Sequence, residues 1–215
     1  MKIRIFAVIF VLFLSTLFIC CDEDKVTSPD GGDDPPVKIT RDNCIELLVE
    51  SFNEKDIDKY SRLFLEPDTS NIFSDGYIWY NQDEDLMSGA VGQEYLNYYQ
   101  DIEAMDSLFA HMIYGVLNIY PGSWNSLEVF RETECSDCWE TFRDYKIDIE
   151  DDMDFHFIGE YLIRLVIGPD PEMEDSYLIY QAEDLRMTAS IKRIPAGSEA
   201  GSWGAIKSAY AGFSR

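Results

Sequence analysis

Basic residues are scarce in this chain. It has 17 Lys and Arg against 41 Asp and Glu, which gives a formal net charge of −24. A surface of that charge repels polyanions and anionic lipid head groups. The composition therefore excludes nucleic acid as a partner and argues against peripheral membrane binding by the folded part of the chain.

Motifs for nucleotide, acyl-transfer or metal chemistry are also missing. The sequence contains no Gly-rich phosphate loop and no Ser/His/Asp signature. Its two histidines, His111 and His156, are not spaced to complete a zinc site with Cys135 and Cys138. We therefore predict neither a metal nor a cofactor.

Two acidic strings, 81–85 and 148–154, alternate oxygen-bearing side chains in the manner of a calcium loop. Both lack the glycine at position six and the acid at position twelve that an EF-hand requires. We interpret both strings as solvated loops.

Only one long apolar run is present, and it lies at the start. Lys2 and Arg4 precede the largely apolar segment 5–19. A membrane-spanning helix needs about 20 apolar residues, and this run ends sooner, at two cysteines and an acidic stretch. The pattern is typical of the charged and apolar regions of a secretory signal.

The end of that run, Leu17-Phe18-Ile19-Cys20-Cys21, resembles the lipobox of bacterial lipoproteins, in which a cysteine is acylated after export. Cys21 fits better because the small Cys20 precedes it, and Cys20 is the alternative. We therefore expect a protein of the bacterial cell envelope, anchored by lipid outside the cytoplasm. An ordinary cleaved signal is the other interpretation.

The next segment favours a tether. Residues 22–36 are acidic and rich in Pro and Gly, and they contain a single apolar residue, Val26. Such a segment cannot bury enough apolar surface to fold. We divide the chain into a signal peptide (1–20), a disordered acidic tether (21–36) and one domain (37–215).

Helical periodicity begins soon after the tether. Ile45, Leu48, Val49 and Phe52 form one apolar stripe. A second short helix is predicted from Asp56, a longer one over 88–109, and a last one over 203–210 after a loop at 195–202.

The period changes to two after residue 111. Five strands are predicted, at 112–120, 126–133, 141–149, 155–167 and 177–185. In the fourth strand we predict one face for the core and the opposite face for solvent. The core face is Phe155, Phe157, Tyr161, Ile163, Leu165 and Ile167, and the solvent face is Asp154, His156, Glu160 and Arg164.

The segment CIELLVESFNEKDIDKYSRLFLEP (44–67) resembles the opening of nuclear transport factor two-like, or SnoaL-like, domains. The similarity extends to Gln181-Ala182-Glu183-Asp184 and, among lipoprotein members, to Ser202-Trp203-Gly204-Ala205-Ile206-Lys207. The resemblance implies a cone-shaped, cystatin-like α+β fold, with N-terminal helices packed against a curved antiparallel sheet around a pocket.

Two functions fit this resemblance. The first is a non-catalytic module that binds a small apolar ligand or scaffolds an envelope complex, with a homodimer through the outer sheet face as one arrangement. The second is a small-molecule isomerase, cyclase or dehydratase that uses an acid or base in the pocket. Asp75, Tyr77 and His111 are the candidate catalytic residues, provided that they point inward.

Cys135-Ser136-Asp137-Cys138 is the sharpest local motif. We interpret it as a disulfide closing a hairpin tip in an oxidising compartment, and a redox pair is the alternative. Cys44 lies beside the apolar stripe of the first helix and is expected to be a buried thiol.

Overall fold

The computed structural model describes residues 38–68, 72–81, 94–185, 199–200 and 202–210. The predicted signal peptide and tether, with Cys20 and Cys21, lie outside the described residues. None of the described helices combines the length and the apolar composition that crossing a membrane requires.

Two helices open the described domain as predicted. Helix α1 (Cys44–Glu54) buries Leu48 and Phe52 and ends at Lys55, whose backbone is left-handed with φ 57°. Helix α2 (Ile57–Ser61) follows at once, because the Asp56 side chain accepts a hydrogen bond from the Lys59 N–H. The resulting corner sets the angle between the two helices.

The third helix is shorter than its predicted extent of 88–109. Helix α3 (Tyr98–His111) begins after Asn97, which exchanges hydrogen bonds with Gln100 in a capping box. The preceding residues form strand β2 (Tyr95–Asn97). The predicted start of the helix was wrong because the helical spacing of apolar residues continues through Tyr95, so the N-cap at Asn97 could not be recognised from the spacing. Residues 82–93 lie outside the described part of the chain.

In the described part of the chain, eight strands form one mixed sheet. Besides β2 they are β1 (Ile78–Tyr80), β3 (Met112–Ile119), β4 (Trp124–Phe130), β5 (Thr133–Asp151), β6 (His156–Pro169), β7 (Tyr177–Leu185) and β8 (Glu199–Ala200). The order is β2-β1-β7-β6-β5-β3, with β4 also on β5 and β8 also on β6.

The sheet is curved, and most of its pairs are antiparallel. The exceptions are β1 with β7 and β6 with β8, which run parallel. Register shifts in the β3–β5, β4–β5 and β6–β7 pairs mark bulges, which bend strands locally. The predicted α+β class is confirmed.

The side-chain alternation of β6 is also as predicted, with one correction. Ile163 and Leu165 are fully buried, whereas Glu160 is exposed on the opposite face. Phe155 was expected in the core but is 41% exposed, because it precedes the first residue of β6. We call the face that carries Glu160 the outer sheet face.

Strand β5 is much longer than its predicted range of 141–149, and it absorbs most of an acidic string that we had interpreted as a loop. Asp148–Asp151 lie in the strand. Asp151 is buried and accepts hydrogen bonds from the N–H groups of Met153 and Phe155 and from the Tyr210 hydroxyl. Its three donors explain why a carboxylate can be buried there.

Cys135 and Cys138 are joined by a disulfide, but not at a hairpin tip. Both belong to β5, after the turn at Arg131 and Glu132 that links it to β4. The register between β4 and β5 shifts at this point. Leu127 pairs with Cys138 and Val129 pairs with Glu134, so an advance of two residues along β4 corresponds to four residues along β5. The disulfide therefore spans a bulge within one strand.

The main core lies between the inner face of the sheet and the helices. Phe52 makes edge contacts with Phe109 and with Trp203, which belongs to the last helix, α4 (Trp203–Tyr210). A smaller cluster packs around the disulfide and consists of Leu65, Phe73, Phe130, Cys135, Cys138, Val166 and Tyr180.

Candidate functional site

Several charged side chains of the described residues are buried, and three of them share one part of the main core, where burial without a partner would be costly. Lys207 and Asp101 have no solvent exposure, and Asp184 has 2%. Asp101 belongs to the first turn of α3, Asp184 to β7 and Lys207 to α4. With the tyrosines that contact them, they form what we call the interior cluster.

Lys207 is the centre of this cluster. Its Nζ donates to Asp101 Oδ1 at 2.6 Å and to the Tyr60 hydroxyl at 2.9 Å. The Tyr60 hydroxyl in turn donates to Asp101 Oδ2 at 2.9 Å. Both carboxylate oxygens of Asp101 are thus hydrogen-bonded, which offsets part of the desolvation of the ion pair.

Aromatic rings surround the same ammonium group. Lys207 Nζ lies 3.6 Å from the ring centroid of Trp79, 4.8 Å from that of Trp203 and 5.6 Å from that of Tyr60. All three distances lie within the range of cation–π attraction. Burial lowers the pKa of Lys207, and the Asp101 carboxylate opposes that change.

Asp184 occupies the opposite side of the cluster. Its carboxylate accepts from the Tyr145 hydroxyl at 2.7 Å and from the Gly204 N–H at 2.6 Å. Burial raises the pKa of Asp184 to about 6, although these hydrogen bonds, one from Ser202, and Lys207 favour its charged form. Asp184 therefore titrates closer to neutral pH than an ordinary carboxyl group.

The last helix fills the space beneath the sheet. Trp203, Ile206 and Tyr210 are buried on α4, and Gly204 allows the helix to approach closely. A Cβ atom at Gly204 would lie 2.5 Å from Asn81 Oδ1 and 2.8 Å from Trp79 Nε1. Helix α4 therefore packs closely against the part of the main core that carries Asn81 and Trp79.

Of the three candidate residues predicted from sequence, one lies near the cluster. Tyr77 is fully buried, and burial together with Asp101 and Asp184 raises its pKa well above the ordinary value. Its hydroxyl has no hydrogen-bond partner among the described residues. Tyr77 is thus the one predicted residue whose position would suit a pocket.

The other two candidates lie elsewhere. Asp75 is exposed in the turn before β1. His111 ends α3 with a partly exposed ring, whose Nδ1 lies 2.9 Å from Asp152 Oδ1. Within the described residues, neither Asp75 nor His111 forms a hydrogen bond with the interior cluster.

Sequence reasoning missed most of the cluster as a site. Asp184 and Lys207 lie in two of the three segments that carried the family resemblance, but only as matching residues without a role. A lysine within the otherwise apolar segment Trp203–Tyr210 was the available signal. Nothing in the sequence distinguishes Asp101 from the other acids of α3.

The described residues contain no group of three or more His, Cys, Asp or Glu side chains arranged to hold a metal ion. What the interior cluster can offer chemically is proton donors and acceptors, an ammonium group and aromatic rings. These are the components of either a buried structural network or an acid–base site.

No family model and no curated protein matches this sequence. Among solved structures, similar chains include a nuclear transport factor 2 (NTF2-like) superfamily protein from Salmonella enterica serovar Typhimurium. It shares 8% identity and a TM-score of 0.48, over 71% of this chain and 93% of that one.

An NTF2-like protein with a cystatin-like fold from Novosphingobium aromaticivorans is also similar, with 11% identity and a TM-score of 0.43 over 69% of this chain and 80% of that one. A type 2 hexachlorocyclohexane dehydrochlorinase shares 5% identity and a TM-score of 0.48, over 73% and 91%. Similarities this distant say nothing about the function of this chain.

Proposed function

We propose that this chain is an exported, lipid-anchored binding or scaffold module of the cell envelope and that it performs no catalysis. The observation that carries the proposal is the mutual hydrogen bonding within the interior cluster. Lys207, Asp101 and Tyr60 satisfy one another, and α4, which bears Lys207, packs closely against Trp79 and Asn81.

A catalytic acid or base has to come within hydrogen-bonding distance of its substrate. Here the Asp184 carboxylate accepts from Tyr145 and from the backbone of Gly204, and Trp203 N–H donates to the Tyr145 hydroxyl at 2.9 Å. These groups are engaged in holding the first turn of α4. Their geometry favours a structural role for the cluster.

Binding would then use an outside surface, and we propose the outer sheet face, with a second copy of the chain as partner. Tyr114, Tyr120 and Phe142 are 44–50% exposed and share this face. The face also carries both signs of charge, since Lys146 pairs with Glu160 at 3.7 Å. Such a surface suits the self-complementary contact of a twofold dimer.

The homodimer is tested by sedimentation of the wild type and of Phe142→Glu. We expect the variant to be a folded monomer, because a buried unpaired charge at the interface is costly. Tyr99→Glu is the matched control, since Tyr99 is 58% exposed on α3, away from this face. A wild type that sediments as a monomer contradicts this partner.

The anchor is tested by mass spectrometry of the mature N-terminus and by cell fractionation. We expect an acylated cysteine, at Cys21 or alternatively at Cys20, and release from the membrane when both are replaced by alanine. Cys44→Ala is the control, since Cys44 is buried in α1 and should not affect fractionation. An unmodified N-terminus further along the chain would contradict the anchor.

One observation favours the second candidate function, a proton-transfer enzyme. A buried carboxyl group with a pKa of about 6, among aromatic rings and near the Tyr77 hydroxyl, has the properties of a general acid or base. Asp184→Asn removes that chemistry at nearly constant volume.

Complementation of a deletion strain distinguishes the two functions. A binding module predicts that folded Asp184→Asn complements as well as wild type and as well as Asp106→Asn, a variant of an exposed acid on α3. If the Asp184 variant is folded, abundant and inactive while the Asp106 variant is active, the enzyme is the better proposal.

A further inference from the structure

The surroundings of Lys207 Nζ have the composition of a receptor for an organic ammonium ion. Two indole rings and one phenol ring lie 3.6–5.6 Å from the nitrogen, and a carboxylate oxygen lies 2.6 Å away. Aromatic cages of this kind recognise alkylammonium ligands through the negative faces of the rings. All the side chains that form the cage are buried.

The cage carries more negative charge than its single ammonium group neutralises. Asp101 contacts Lys207 directly, and the Asp184 carboxylate acts on the same ammonium from a greater distance. Removal of the lysine would leave two carboxyl groups, three aromatic rings and the Tyr60 hydroxyl with no cation. Such a site should select a cation over a neutral molecule of the same shape.

We propose that this cage is a binding site for a primary alkylammonium ion and that Lys207 is its built-in occupant. Helix α4 then acts as a tethered ligand, whose ammonium group anchors the C-terminal part of the chain beneath the sheet. A free amine has to compete with this tethered group at a high effective concentration. The site is therefore best measured after the lysine side chain has been shortened.

The test is Lys207→Ala, which removes the equivalent of a propylamine molecule and leaves Trp203 on the helix. Titration of the full-length variant with propylammonium chloride at pH 7.5 should raise Tm saturably, by on the order of 5 °C. An equal concentration of 1-propanol should have little effect, and the apparent affinity for the amine should exceed that for the alcohol by at least about tenfold.

Two controls separate the cage from a general salt effect. Lys207→Met fills the volume without a charge, so propylammonium should not raise its Tm. Lys207→Ala with Asp101→Asn keeps the cavity and removes the nearest negative charge, so its affinity for propylammonium should fall at least about tenfold. Equal effects of amine and alcohol on Lys207→Ala, or equal effects of the amine on all three variants, would overturn the proposal.

If Lys207→Ala does not fold alone, the same ligands are added during refolding, and propylammonium but not propanol should restore the folded fraction. The wild type provides an independent measurement by ¹⁵N NMR. The lysine side-chain signal at Nζ should be that of a protonated amine, with slowly exchanging protons shifted upfield by the Trp79 ring. A neutral amine signal for Lys207 would overturn the proposal even if no variant could be purified.

Discussion

The Asp184 carboxylate on β7 accepts a hydrogen bond from the backbone N–H of Gly204, the second residue of α4, at 2.6 Å. The first N–H groups of a helix have no partner within the helix, and a negative charge there is favoured by the helix dipole. A strand side chain thus caps a helix that is distant in sequence.

Asp184 should make stability depend on pH. Its folded pKa of about 6 exceeds the value of about 4 for an unfolded aspartate, so the folded state binds the proton more tightly. The free energy of unfolding contributed by this group therefore falls as pH rises through the range of about 4 to 7, by about 3 kcal/mol in all, and is constant at higher pH.

Urea denaturation of the wild type and of Asp184→Asn, between pH 4 and 7.5, measures this effect. Their difference should shift by about 2–3 kcal/mol in favour of the wild type as the pH falls, because asparagine cannot take up the proton. A pH-independent difference for Asp184→Asn would contradict the raised pKa.

Gly204→Ala should destabilise the protein, although alanine is the better helix former. The added Cβ would lie 2.5 Å from Asn81 Oδ1 and 3.1 Å from Asp184 Oδ2, so α4 would have to move. We expect a cost of about 1–3 kcal/mol in thermal or urea denaturation.

Gly122→Ala is its control, since the nearest atom there is the Cδ of Arg143, a long side chain that can shift. Its cost should be smaller than that of Gly204→Ala. Equal costs would mean that α4 does not pack as closely as described.

Asp101 and Lys207 should show strong energetic coupling. Lys207→Met leaves the Asp101 carboxylate buried without its cation, and we expect a loss of about 3–5 kcal/mol. Combining it with Asp101→Leu and Tyr60→Phe removes the buried charge and its hydroxyl partner, so most of the stability should return.

Lys207→Met, Asp101→Leu and the variant that combines the two form a double-mutant cycle. Urea denaturation of these proteins at pH 7.5 gives the coupling energy between Lys207 and Asp101. Lys59, which pairs with Glu50 and Glu54 on the surface, supplies the control, and Lys59→Met should cost much less stability than Lys207→Met. Similar losses for Lys207→Met and Lys59→Met would contradict the burial of the cluster.

The disulfide should contribute modestly to stability. Cys135 and Cys138 are three residues apart with Cα atoms at 5.5 Å, and replacement of both by alanine should cost about 2 kcal/mol, as for a very short closed loop. Peptide mapping of exported protein should find the two linked to each other.

Cys44, the free cysteine of α1, is the comparison for thiol reactivity. Burial raises the pKa of the Cys44 thiol to about 12, so it should remain unmodified by alkylating agents in the folded protein. A Cys135–Cys138 pair that is reduced in the native protein would support the alternative redox role.

Local pattern alone determined much of the fold. The spacing of Leu48 and Phe52 predicted α1, and the alternation through Ile163 and Leu165 predicted the buried face of β6, because each element shows its own period. The extent of α3 was not predictable in the same way, since Tyr95 fits the helical period and yet lies on an edge strand.

The candidate site was decided by tertiary structure. Asp101, Asp184 and Lys207 lie on a helix, a strand and another helix, and their residue numbers differ by 83 for the first two and by 23 for the last two. A period shows which residues share a face, but not whether a helix docks with a lysine inward. That depends on Asp101, Tyr60 and Trp79 arriving at the same place, because only together do they offset the desolvation of the ammonium group.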